Sequence, residues 1–131
     1  MRKPVSIKNS TCQSVEVGLS APAKKAIDHA MAESYIHISA VSAWEVAVLV
    51  RKGRLEFTMP VEDWIACSQD LPFVQFVPID NHIAIRSTSL PGILHDDPAD
   101  RIIIVTAITL GATLITKDKR IRKYAHVKTL W

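Results

Sequence analysis

Four carboxylates stand out for type and spacing in a chain of 131 residues: Glu45, Asp97, Asp100 and Asp118. They lie in Ser42-Ala-Trp-Glu45, Asp97-Pro-Ala-Asp100-Arg101 and Thr116-Lys-Asp118. Each has a structural explanation. Glu45 follows Ser42 at capping-box spacing, Asp97 is placed to cap a helix with Asp100 answering at its third position, and Asp118 is placed to cap the last helix. Such caps are each worth about 1 kcal/mol. Brought to one edge of a sheet, the same residues would instead form an acidic cluster, where like charges repel unless a divalent cation neutralises them. Oxygen donors without paired His or Cys suit Mg²⁺ or Mn²⁺ better than zinc. Those ions generate hydroxide from bound water and neutralise a phosphodiester undergoing in-line displacement.

A basic run accompanies the acids. Lys117, Lys119, Arg120, Arg122, Lys123 and Lys128 are interrupted by a single acid, Asp118. It reads equally as a solvated face and as a grip for phosphates, with Lys117, Lys119, Arg120, Arg122 and Lys123 as candidate RNA-binding residues. The net charge of +3 is too small to identify a nucleic-acid binder by itself. Arg51, Lys52 and Arg54 end a helix, where they complement its dipole.

Other chemistries find little support. Ser42 has no glycine elbow, and the four glycines form no phosphate-cradling loop. Of five histidines, His95 sits beside the acid pair Asp96 and Asp97, and phosphate contact is its functional reading beside the ordinary surface or core one. Trp44 reads as a packing anchor rather than a base-stacking platform. Cys12 and Cys67, far apart in a chain without a secretory leader, are expected to stay thiols.

The elements that must position these residues alternate. Ser20 followed by proline opens a helix over 21–32; a strand follows at 35–39 and a helix at 41–52, stopped by Gly53. Pro60 begins a short helix through Cys67, a strand covers 73–79, and Asp80 caps a helix at 81–88. A polar loop at 95–97 leads into an apolar helix over 98–110 that exits at Gly111. Then come a buried strand at 112–116, a basic helix at 118–124 and a strand at 127–131. This alternation predicts an α/β/α three-layer fold with a mostly parallel central sheet, function gathering at the carboxyl ends of its strands. Glu45 and Asp118 follow two of those ends.

With 48% hydrophobic and 22% charged residues, the chain is expected to be one soluble domain. No apolar run approaches a bilayer's thickness, and the start lacks a signal sequence, so a cytoplasmic location is expected.

Three motifs, Ile38-Ser-Ala-Val-Ser-Ala-Trp-Glu45, Leu94-His-Asp-Asp-Pro-Ala-Asp-Arg101 and Leu114-Ile-Thr-Lys-Asp118, resemble in order and spacing those of the PIN-domain ribonucleases, and among them the VapC-like toxins of toxin–antitoxin pairs. The resemblance covers residues 19–131. It implies Mg²⁺-dependent (or Mn²⁺-dependent) RNA cleavage, homodimerisation and inhibition by a cognate antitoxin. It assigns Glu45, Asp100 and Asp118 as catalytic and metal-site acids, with Asp97 as a supporting acid of the same metal site. Members of that family open with an apolar strand ending in Asp-Thr, whose aspartate is a metal ligand. Here no Asp precedes Asp28, and residues 1–18 form an atypical N-terminal segment. The expectation is that a shifted reading frame or a replaced 5′ coding segment accounts for it, which translation of the same DNA in its other two frames tests. Three readings follow: an active endoribonuclease toxin, an inactive PIN-like domain that retains antitoxin or RNA binding, and a small α/β interaction module whose acids are only caps.

Overall fold

The alternation of helix and strand after Leu19 is realised. The computed structural model describes residues 19–131, together with the antiparallel backbone pairing of β1 (Ser6–Ile7) with β2 (Val15–Glu16). The rest of the atypical segment lies outside the described residues. There follow α1 (Ala21–Glu33), β3 (Ile36–Ser39), α2 (Ala40–Arg51), α3 (Val61–Gln69), β4 (Val74–Val77), α4 (Asn81–Arg86), α5 (Pro98–Leu110), β5 (Leu114–Ile115), α6 (Lys119–Arg122) and β6 (Thr129–Leu130).

β3 pairs in parallel with β4, Ile36 opposite Val74 and Ser39 opposite Val77. β5 pairs in parallel with β6. The α/β class with parallel strands is therefore present, carried among the described residues by two short parallel ladders. Both β5 and β6 are shorter than their sequence patterns predict.

Local chemistry fixes where the helices begin. The Ser20 hydroxyl accepts from the Ala23 N–H at 3.2 Å, and the Asp80 carboxylate accepts from Ile83 N–H at 2.8 Å. The cap of α2 differs from expectation. Ser39, the last residue of β3, accepts from the Val41 N–H, so strand passes into helix without a linker and Ser42 is already inside α2. The Ser42–Glu45 capping box is not formed, and Glu45 is released from that structural duty. α5 ends at Gly111 in the left-handed region (φ 63°), where the Ala112 N–H closes on the Ala107 carbonyl at 2.9 Å.

Two apolar clusters carry the fold. Ile83, Leu90, Ile104, Val105, Ile121, Tyr124 and Val127 tie α4 and α5 to α6 and the segment leading to β6. Ile104, Val105 and Ile121 are fully buried, each stabilising by about 1.5–3 kcal/mol relative to exposure. The smaller cluster, Val41, Ala99 and Ile103 with Leu114 against it, joins the start of α2, the first turns of α5, and β5. These three elements carry Glu45, Asp100 and, just beyond β5, Asp118.

The two-thiol expectation is corrected. Cys67 is disulfide-bonded, and no described cysteine is free. Cys12, the other cysteine in the sequence, lies outside the described residues. No described helix is long and apolar enough to cross a membrane.

Candidate active site

Asp100 sits in the first turn of α5 and is 1% exposed. A charge so deeply placed requires partners. The His95 Nε2–H donates to Asp100 Oδ2 at 2.7 Å. His95 therefore holds an acid, a contact that its position in the sequence did not indicate. It is held in turn by Arg101, whose Nε donates to the Ser87 carbonyl at 2.8 Å while Nη1 reaches the Leu94 and His95 carbonyls at 3.4 and 3.3 Å. The planar guanidinium thus staples the loop before α5 onto that helix, using a fork that a lysine does not possess.

Asp118 is placed by the turn after β5. The buried Thr116 hydroxyl accepts from the Asp118 N–H at 3.1 Å. Asp118 then caps α6, its Oδ1 accepting from the Arg120 N–H at 2.8 Å and its Oδ2 from Arg120 Nη2 at 3.3 Å. Burial raises the Asp118 pKa, but the two bonds from Arg120 together with surrounding positive charge, the guanidinium's included, outweigh it and bring the carboxyl below its ordinary value of 3.8. The same Nη2 stands 3.9 Å from Asp100 Oδ2. One cationic nitrogen therefore faces both carboxylates, which links the ends of two elements that are distant in sequence.

Glu45 is half-buried, one helical turn beyond Val41 on the face of α2 that packs against Ala99 and Ile103. Asp97 is exposed and turned to the helix, with Oδ1 accepting from the Ala99 and Asp100 N–H groups at 2.9 and 3.3 Å. The structure thus brings Asp100 and Asp118 to one cation, puts Glu45 on the adjoining helix face, and gives Asp97 the cap that its position predicts. Among the described residues, no three His, Cys, Asp or Glu side chains are grouped closely enough to hold a metal ion.

The basic residues divide in two. Lys119, Arg122 and Lys123 line an open recess of about 420 Å³ with Thr129, Leu130 and Trp131, and Lys117 is exposed. Arg120 is turned to the acids. Trp44 is 61% exposed and anchors nothing, which corrects its assignment as a packing residue; Trp64, stacked on Phe57 with ring centroids 4.7 Å apart, takes that role.

Three residues escaped the reading of the sequence: His95 as partner of Asp100, Arg101 as clamp, and Thr116 as positioner of Asp118. The last has a local signal, a threonine two residues before an acid at a strand end, which is the spacing of a hydroxyl turn.

The PIN domain family model matches residues 18–127. The chain is 36% identical over 115 residues to Ribonuclease VapC22 of Mycobacterium tuberculosis, an alignment covering 86% of this chain and 85% of that protein. A match of this extent, over a parallel-stranded α/β fold whose helix starts carry the three acidic motifs, establishes that the chain belongs to the PIN domain family.

Proposed function

We propose that the protein is a metal-dependent endoribonuclease acting as the toxin of a toxin–antitoxin pair in the cytoplasm. The observation that carries this reading is the approach of one cationic nitrogen to both Asp100 and Asp118, 3.9 and 3.3 Å away. The position between two carboxylates from separate elements favours positive charge. The donor chemistry fits Mg²⁺ or Mn²⁺: all oxygen, with two carboxylates sufficing for an ion that keeps most of its waters. The relative is named a ribonuclease, which supports the same activity.

In this reading Asp100 and Asp118 hold the cation, Glu45 approaches from α2 as the third acid, and Asp97 supports them by capping the helix that carries Asp100. When bound, the ion supplies hydroxide at neutral pH and neutralises charge on the phosphodiester. His95 fixes the Asp100 carboxylate by occupying Oδ2. Thr116 and the Arg120 N–H fix Asp118. Lys117, Lys119, Arg122 and Lys123 draw the RNA backbone toward the acids, so the affinity falls with added salt. Arg120 joins them as an RNA-binding residue once its guanidinium leaves the carboxylates.

Partners fit the exposed apolar surface. Trp44 stands in water on α2, and a neighbouring cavity of about 360 Å³ is lined by Ala47, Val61, Ile65 and Ala66 of α2 and α3. Glu62 and Gln69 complete its lining, and such a mainly apolar surface supports docking of a cognate antitoxin and formation of a homodimer.

The alternative, an inactive PIN-like domain that still binds antitoxin or RNA, is favoured by one observation: no three metal-ligating side chains are grouped among the described residues. Incubating mixed RNA with the folded protein in Mg²⁺, in Mn²⁺ and in EDTA separates the two. Cleavage with metal alone supports the toxin, and RNA retention without cleavage under every condition supports the inactive domain.

A further inference from the structure

Arg120 is placed unlike its basic neighbours. Lys119, Arg122 and Lys123 face the recess beside β6, whereas the Arg120 guanidinium turns back over its own helix start to Asp118 Oδ2 at 3.3 Å and Asp100 Oδ2 at 3.9 Å. Its side chain is nevertheless 62% exposed, so nothing encloses it there. Its backbone performs a separate task, since the Arg120 N–H donates to Asp118 Oδ1 at 2.8 Å whatever the side chain does. The side chain can leave while the acid stays in place.

We propose that Arg120 is an internal counter-cation of the acidic centre: its guanidinium holds Asp100 and Asp118 in place of a divalent ion, competes with that ion, and is released when the ion binds. This rests on the metal-site reading above. The physical argument is one of charge. Two carboxylates facing one point repel, and a guanidinium relieves part of that repulsion with a single charge where Mg²⁺ brings two. The guanidinium, itself exposed, regains water on leaving, and the incoming divalent ion takes over the charge of the buried carboxylates, so the exchange leaves neither acid uncompensated. The released side chain lies among Lys119, Arg122 and Lys123 as a fourth cation for the phosphates. Metal binding and substrate binding are thereby coupled: a filled site frees a residue that grips RNA, and an empty site withholds it.

The test is Mn²⁺ binding to the whole chain without nucleic acid, read by calorimetry and by the paramagnetic resonance of free Mn²⁺. Wild type, Arg120→Gln and Asp100→Asn are compared, with melting temperatures checking the fold. Arg120→Gln keeps the backbone cap, so folding is retained. The expected result is Mn²⁺ affinity about fivefold tighter in Arg120→Gln than in wild type, the difference shrinking as NaCl is raised, with binding lost in Asp100→Asn. Equal affinities in wild type and Arg120→Gln, both abolished by Asp100→Asn, would overturn the competition and leave the metal site standing. Absence of Mn²⁺ binding from wild type and Arg120→Gln alike would overturn both the proposal and the metal-site reading beneath it.

Discussion

His95 Nε2 lies 2.7 Å from Asp100 Oδ2, and the two side chains are 17% and 2% exposed. A bond this short and this sheltered fixes the plane of the carboxylate. Its partner nitrogen, His95 Nδ1, is buried without a hydrogen-bond partner among the described residues, so the ring's polar contact is spent on Asp100. Partners of this sort typically control metal affinity or activity by about 10–100-fold when mutated. We expect His95→Ala to lose at least about tenfold in metal-dependent cleavage, and His95→Gln, whose amide can donate one bond, to recover part of it. Steady-state cleavage of a fluorogenic RNA by proteins matched for melting temperature measures the effect.

Arg101 is the clamp behind that bond. Its side chain is 15% exposed and its guanidinium serves three carbonyls, on Ser87, Leu94 and His95. A lysine supplies charge without the fork. Arg101→Lys is expected to destabilise the fold by about 2 kcal/mol, read as a lowered urea midpoint at unchanged slope.

Asp97 and Asp100 separate by chemistry although they stand three residues apart. Asp97 accepts two backbone N–H bonds at the start of α5, a task that asparagine performs equally well. Asp97→Asn should therefore leave both stability and cleavage close to wild type, while Asp97→Ala costs about 1 kcal/mol of stability. Denaturation and cleavage measured on the same preparations decide this. Loss of cleavage in a stable Asp97→Asn protein would move Asp97 from cap to ligand.

The dependence on pH has opposite signs at the two ends of α6. Asp118 has a folded pKa below 3.8, so its contribution is present above that value and is lost as pH falls through the lower folded value. Tyr124, raised above 10.0 by burial against an opposing contribution from Arg101, contributes stability that is present below 10 and is lost as pH rises through the folded value. Tyr124 donates its hydroxyl to the Pro91 carbonyl, and only the neutral phenol can do so. Melting curves across both ranges should show the alkaline loss reduced in Tyr124→Phe and the acid loss reduced in Asp118→Asn.

Legibility of the sequence followed the range of the interaction. Ser20, Asp80 and Asp97 were readable as caps because a cap involves residues two or three apart. Ser39 was missed because a strand residue adopted the cap that Ser42 was expected to supply. The three acidic motifs were legible, as was their placement at helix starts. That Asp100 and Asp118 meet one guanidinium was not, since it depends on the packing of α6 beside α5 through Ile104 and Ile121. Trp44 misled for the converse reason: a large apolar residue in a helix is usually buried, and the few that face water carry meaning that composition does not reveal.

The central claim is that Asp100 and Glu45 act on RNA through a divalent ion. The most direct measurement is the cleavage rate of a mixed-sequence RNA by the purified chain in Mg²⁺ or Mn²⁺, repeated in EDTA and with Glu45→Gln and Asp100→Asn. The predicted result is cleavage that requires the metal and falls in both variants by about 100-fold or more without loss of fold. Cleavage that persists in EDTA or in folded Asp100→Asn, or its absence from the folded wild type, would contradict the account.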